Sequence, residues 1–256
     1  LATLRCHGNW DLLARRRLRQ ALAAFAPQVV QAHLARAALL AGHAAHALGL
    51  PTLAKTHNLV DSHYYRDIDL LVPTTHAQAA HLRAQGVAEE DLRIIPNFSP
   101  LSPVTTRSND AGPPWRLKTF GRFVAKKGFA SLLDAVAALC AAGIDVRLEL
   151  GGDGPDNGAL RARAADLGIA DRVHWPGWIT DVPAFLTDAH LFVLPSHDEP
   201  FGIVLLEAMA CGVPIVTTPT AGPREILDAD TACFAARDDA AALEDALKLA
   251  LGDYAL

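Results

Sequence analysis

The sequence has no run of apolar residues approaching the ~18 to 20 that a membrane-spanning helix needs. Its Ala-rich stretches are broken every few residues by His, Arg, Gln or Asp. Its four cysteines, Cys6, Cys140, Cys211 and Cys233, include no Cys-x-x-Cys pair. That argues against zinc ribbons and thioredoxin-like redox chemistry and fits a reducing, cytoplasmic compartment. The net charge of −5 leaves no broad positive footprint, so no nucleic-acid partner is expected. His43-x-x-His46 and His76-x4-His81 have no Cys or carboxylate beside them at ligand spacing, so no metal site is expected. Gly-x-Ser-x-Gly, Walker A and His-Glu-x-x-His motifs are all lacking. The chain opens on Leu1 rather than Met, and its first residues do not read as a signal peptide, so it reads as a fragment or a processed chain.

What is present is ordinary globular composition: 256 residues, 51% hydrophobic and 20% charged, enough for one large or two modest domains. Short apolar runs of β type alternate with Ala/Leu-rich helical runs, the pattern of parallel α/β architecture. In the first part, strands are expected at 28–33, 53–57, 69–72 and 93–95. A helix stopped at Gly49 lies between the first two, and another capped by Thr75 runs out at Gly86. Residues 99–114 form the one Pro/Ser/Gly-dense stretch and read as a linker. The domains are therefore placed at 1–113 and 115–256. In the second, strands are expected at 117–120, 146–150, 173–175, 191–194 and 215–217. Helices are expected at 129–142, 160–167, 200–211 and 239–251.

Three segments carry chemistry. Glu199-Pro200-Phe201-Gly202-Ile203 through Glu207 joins a strand exit to a helix, with Pro200 suited to the first helical position. A helix start offers backbone N–H groups and the positive end of a dipole, natural for a diphosphate. Glu199 beside it suits a sugar hydroxyl, and Glu207, further along, a ribose. The competing reading makes Glu199 a cap and Glu207 a solvated position. Gly121-Arg122-Phe123-Val124-Ala125-Lys126-Lys127-Gly128 puts two cations on a strand-to-helix turn, Arg122 as a planar fork and Lys127 as a point charge. Its plain alternative is a basic surface turn. Gly151-Gly152-Asp153-Gly154-Pro155 allows close approach of a ligand to the backbone, without Gly-x-Gly-x-x-Gly spacing. All three sit at carboxyl ends of expected parallel strands, where open α/β sheets bind ligands.

In that order and spacing, with Pro176-Gly177-Trp178 and Glu207-Ala208-Met209-Ala210-Cys211-Gly212-Val213-Pro214, residues 115–230 resemble the retaining glycosyltransferases of family four. The resemblance implies a GT-B-like α/β fold, two Rossmann-like domains facing each other across a cleft. It implies a nucleoside-diphosphate sugar donor, a glycan or lipid-linked hydroxyl acceptor, and neither cofactor nor essential metal. Arg122 and Lys127 would grip the diphosphate, Glu199 the transferred hexose and Glu207 the ribose. Gly121, Gly152 and Gly154 would border the donor, and backbone at Phe201, Gly202 and Ile203 would line sugar and phosphates. Trp178 and Ile179 would form the base pocket, although Trp175 and Trp178 read equally as core or rim aromatics.

In the first domain the resemblance is weaker. Lys55-Thr56-His57 ends a strand where members place a histidine facing the donor sugar, against the alternative of an incidental loop histidine. Residues 92–97 match the turn before the second domain, but Phe98-Ser99-Pro100 replaces the family's Gly-Val-Asp. Nothing before Trp10 supplies the opening strand and Gly-rich loop, so the first domain is expected to be truncated. Arg15-Arg16-Arg17-Leu18-Arg19 reads as a solvated helix face, or as a peripheral contact with the inner face of an anionic membrane. The rival functions are a GT-B epimerase or phosphorylase, and a fragment that binds nucleotide without turnover.

Overall fold

The computed structural model describes residues 3–8, 11–103 and 112–252. Residues 104–111 of the expected linker, and the segment ends at Trp10 and 253–256, lie outside the described residues. The chain divides into two compact units, Leu1–Asn97 and Phe98–Leu256.

The first unit contains α1 (Leu12–Phe25), β1 (Val30–His33), α2 (Ala35–His46), β2 (Thr52–Lys55), a 3-10 turn at Ser62–Tyr65, β3 (Leu70–Val72) and α3 (His76–Ala84). β1, β2 and β3 form a parallel sheet in that order. Thr75 caps α3 by accepting a hydrogen bond from the Gln78 amide at 3.1 Å. The strand expected at 93–95 is only a single bridge between Leu71 and Leu92. The segment still runs along β3, with Arg93 N donating to the Leu71 carbonyl at 3.0 Å and Ile95 N to the Pro73 carbonyl at 3.0 Å. Its contiguous buried cluster is small: Ala32, Ala38, Ala54, Tyr65, Leu71, Leu82 and Leu92.

The second unit runs β4 (Trp115–Phe120), α4 (Phe129–Ala141), β5 (Val146–Gly151), α5 (Asn157–Asp166), β6 (Val173–His174), α6 (Val182–Leu186), β7 (Leu191–Leu194), α7 (Ile203–Ala210), β8 (Ile215–Thr217), α8 (Ala221–Ile226), β9 (Cys233–Phe234) and α9 (Ala240–Gly252). Its six strands are all parallel, in the order β6-β5-β4-β7-β8-β9. This is the doubly wound arrangement, and its strand order reverses between β4 and β7.

β7 shows why the sheet sits where it does. All four of its residues are apolar and buried. Leu191 and Val193 join the core under α4 and α9, whereas Phe192 and Leu194 join the opposite core under α6 and α7. Alternation along a strand thus feeds both faces, as a central parallel strand requires. The one buried charge on β4 is Lys118, 4% exposed, which pairs with Glu149 at 2.8 Å and Asp188 at 2.6 Å and donates to the Phe185 carbonyl at 2.9 Å. A fully engaged ammonium is tolerable there, because each of its donors finds an acceptor.

Candidate functional site

Because the six strands are parallel, the segments leaving β4, β5, β6, β7 and β8 all emerge at one edge of the sheet. The loop after β4 and the loop after β7 flank the reversal point, and hydrogen bonds tie them together. His197 N donates to the Lys126 carbonyl at 2.8 Å. Gly128 has φ +68, and a methyl group there would sit 1.9 Å from the Pro195 carbonyl oxygen. Only glycine allows both the left-handed backbone and that approach.

This junction brings Lys127 to Glu199, with Nζ donating to Oε2 at 2.5 Å. Glu199 is 8% exposed and Lys127 is largely covered, so the pair works in a low-dielectric setting where charge contacts are strong. The competing reading of Glu199 as a helix cap does not hold, since Gly202 is the N-cap of α7 and no side chain caps it. Helix α7 begins at Ile203, not at Pro200, because Gly202 takes φ +92, a conformation no helical residue can hold. Pro200, Phe201 and Gly202 therefore form a loop that carries Glu199 clear of the helix. Phe201 is buried and Ile203 is exposed at the helix start.

Glu207 lies on α7, half-buried, and burial pushes its carboxyl above the usual glutamate range. Among the described residues no ion pair offsets that cost. Arg122 is exposed, and among the described residues its guanidinium makes no hydrogen bond or ion pair.

The glycines let the loops after β4 and β5 pack backbone against backbone. A methyl at Gly152 would lie 1.9 Å from the Gly121 carbonyl oxygen, and one at Gly154 2.4 Å from that of Phe123. One at Gly121 would stand 4.0 Å from Lys127 Cε. Gly152 N donates to the Gly177 carbonyl at 2.6 Å, which draws the segment after β6 over the end of β5. Ile179 packs there against Gly151, while the neighbouring Trp178 is 67% exposed. Trp175, by contrast, packs on the core and under the Arg161 guanidinium.

Residues that the sequence reading passed over complete this edge. Ser196 and Thr220 are buried, and among the described residues their hydroxyl oxygens have no hydrogen-bond partner. Thr218 Oγ1 donates to the Ser196 carbonyl, and Gly222 N to the Glu199 carbonyl at 2.9 Å, so the loops after β7 and β8 close on each other. His197 pairs with Asp238. A serine or threonine in a loop carries no spacing signal, and only the fold gathers these groups.

In the first unit, His57 follows β2 and lies 3.2 Å, Nε2 to Nδ1, from His33 at the end of β1. Burial, helped by His33 and Lys55, depresses its basicity below that of an ordinary histidine. Arg16, Arg17 and Arg19 of α1 stand in solvent, Arg15 is half-buried, and Leu12, Leu13 and Phe25 are exposed. Among the described residues no helix is long and apolar enough to cross a membrane.

Residues 107–256 match the family model described as Glycosyl transferases group 1, and residues 2–102 the one described as Glycosyltransferase Family 4. The chain belongs to the group 1 glycosyl transferases. It is 37% identical over 166 residues to the lipopolysaccharide core biosynthesis glycosyltransferase LpsE of Rhizobium meliloti (strain 1021), across 63% of this chain and 47% of the relative. To LpsD of the same strain it is 32% identical over 226 residues, across 84% of this chain and 62% of the relative. The chain thus spans about half to three-fifths of the length of these relatives. Among solved structures it resembles Anabaena Alr3699/HepE in complex with UDP and glucose, with a TM-score of 0.81 at 19% identity. That alignment covers 97% of this chain and 75% of the other. The likeness places this family member in the GT-B fold class, an α/β architecture with parallel sheets.

Proposed function

We propose that this group 1 family member takes part in retaining transfer of a hexose from a nucleoside-diphosphate sugar to a hydroxyl acceptor, glycan or lipid-linked. The observation that carries the reading is the Lys127–Glu199 pair at the strand-order reversal. A diphosphate laid there takes Lys127 as its cation and Arg122 as a bidentate partner. Lys127 then leaves Glu199, whose carboxylate turns to the hydroxyls of the transferred sugar. Ser196 and Thr220 supply hydroxyl donors that the protein leaves unspent. Backbone at Phe201, Gly202 and Ile203 lines the sugar and phosphates, with Gly121, Gly152 and Gly154 bordering the donor. Glu207 accepts from the ribose, and Trp178 with Ile179 covers the base.

Charge develops on the leaving nucleotide as the glycosidic bond breaks. Arg122, Lys127 and the start of α7 stabilise it, which is preorganised electrostatic catalysis. The departing β-phosphate oxygen takes the acceptor proton on the same face, so configuration is retained without a protein nucleophile. In this reading residues 1–113 are the acceptor-side half, which carries His57, and 115–256 the donor half. The cationic α1, with its exposed leucines, makes the peripheral contact with the inner face of an anionic membrane that a lipid-linked acceptor would require.

The test is thermal stabilisation against a panel of UDP-, GDP- and ADP-sugars, followed by NMR of the anomeric proton of the product. Stabilisation by one nucleotide series and an unchanged anomeric configuration support the reading. An inverted product would end the retaining assignment, and nucleotide release that does not depend on acceptor would point to an epimerase or phosphorylase.

A further inference from the structure

The parallel register of β1 with β2 sets His33 beside Lys55. Gln31 and His33, two residues apart, share a face of β1, and His57 comes two residues after Lys55. Gln31 Nε2 stands 2.9 Å from His33 Nε2, and His33 Nδ1 stands 3.2 Å from His57 Nε2. The two rings are stacked with centroids 5.5 Å apart.

From this chain of contacts we infer that Gln31 and His33 are positioning residues that fix the proton of His57 on Nδ1. A side-chain amide nitrogen only donates, so His33 Nε2 accepts from Gln31 and the neutral His33 ring carries its proton on Nδ1. That N–H points at His57 Nε2, which must accept, and the one remaining proton of the neutral His57 ring sits on Nδ1. A charged His57 would set N–H against N–H. The depressed basicity of His57, caused first by burial and then by His33 and Lys55, agrees with a neutral ring. Backbone geometry holds the end of the relay. Leu34, directly after His33, takes φ +71 and ψ 150, a region essentially reserved for glycine.

The inference rests on the reading of His57 as a group that meets substrate. On that reading the relay leaves His57 an Nδ1–H donor suited to a hydroxyl or an anionic oxygen, and spares the ring from drifting between tautomers.

The experiment uses the full chain labelled with ¹⁵N-histidine. The two rings are assigned by loss of their signals in His33→Asn and His57→Asn, and tautomers are read from long-range ¹H–¹⁵N correlations. The expected wild-type spectrum shows a protonated Nδ1 and a bare Nε2 for His57. Gln31→Glu reverses the relay, because a carboxylate accepts from His33 Nε2–H; His57 should switch to its Nε2–H form. Gln31→Leu should leave a mixture. Gln31 is exposed, so neither variant disturbs the core. In transfer assays Gln31→Glu should lower kcat by roughly 10- to 100-fold with the donor KM unchanged. A wild-type His57 already protonated on Nε2, or a tautomer unmoved by Gln31→Glu, overturns the relay. A tautomer that switches while kcat stays constant leaves the relay standing and removes His57 from the reaction.

Discussion

Two parallel sheets in one chain bury their surfaces on very different scales. In the six-stranded unit, β7 sends Leu191 and Val193 into one core and Phe192 and Leu194 into another, with Phe123, Phe129 and a wall of leucines around them. In the three-stranded unit, seven of the fourteen buried apolar residues among those described are alanines, and α1 leaves Leu12, Leu13 and Phe25 exposed. The charges differ likewise. The larger unit holds Lys118 and Lys127 against carboxylates under cover, whereas the smaller keeps the histidines His33 and His57 in contact near the surface. The contrast follows from surface-to-volume scaling, since a larger sheet removes more water and can therefore hold ionic groups that must find partners. In the function proposed above, the buried pair at the reversal point of the large sheet receives the charged ligand. A pair of imidazoles on the small one is a place for adjustable hydrogen bonding.

The largest way to break this comparison is to remove the same side chain from each core. Leu148→Ala in β5 should cost about 3 to 5 kcal/mol, and Leu71→Ala in β3 about 2 to 3 kcal/mol, because a small alanine-rich core collapses more readily around the gap. Urea unfolding, with amide exchange resolved to α4 and α2, reads both. Equal losses would mean the smaller core is as tightly filled as the larger.

Next is Lys127→Ala. Nucleoside-diphosphate affinity should fall by about 1.5 to 3 kcal/mol, the range for a charge-assisted hydrogen bond, while nucleoside affinity barely changes. Thermal stability should fall too, since Glu199 is left buried without its cation. Isothermal titration with both ligands decides it. Equal losses would make Lys127 structural only.

Asp188 sharpens the contrast through pH. Burial alone would raise its carboxyl, but the hydrogen bond and attraction from Lys118 outweigh that and hold it below the usual aspartate range. A carboxylate so depressed stabilises the fold above its ordinary pKa and loses that contribution as pH falls through the lower folded value. Asp188→Asn should therefore cost about 1 kcal/mol at neutral pH, discounted for a half-exposed side chain, and converge with wild type in strong acid. Melting curves from neutral to acid pH would show the opposite trend if Lys118 were satisfied by Glu149 alone.

How much of this was legible beforehand depended on whether the signal was local. The continuous apolar run of β7 and the Gly stop after α4 are visible in a few neighbouring residues, and so is the clustering of motifs at strand ends. The two-residue strand β9 is too short to leave a pattern. The sequence puts the start of α7 at Pro200, which suits a first helical turn, and only the backbone shows Gly202 at φ +92. The Gln31–His33–His57 relay is non-local, since His33 and His57 are 24 residues apart and meet only through the β1–β2 register. Ser196 and Thr220 become notable only once burial leaves their oxygens without partners.

A smaller effect is expected at Leu34. Relief of its strained backbone should outweigh the added flexibility of the unfolded chain, so Leu34→Gly should stabilise the first unit by about 1 kcal/mol. Amide exchange in α2 checks this, and a loss of stability would show that the Leu34 side chain, though exposed, is held by contacts worth more than the strain.

The smallest expected change is at Glu207, and it runs opposite to Asp188. Burial raises the Glu207 carboxyl, so the folded state disfavours its charge. A carboxyl raised in this way contributes stability that is present below its ordinary pKa and lost as pH rises through the folded value. Glu207→Gln removes that loss. The variant should melt slightly higher than wild type at neutral pH, and the two should converge in acid, where both side chains are neutral. A carboxylate kept at such a position against its own cost is expected where a ligand repays it, so the same variant should bind nucleoside diphosphate more weakly by about 1 kcal/mol. Differential scanning calorimetry across pH, with titration of the nucleotide, measures both halves. A variant that is less stable at neutral pH would reveal a structural partner for Glu207. One that is more stable yet binds nucleotide unchanged would take the ribose role away from it.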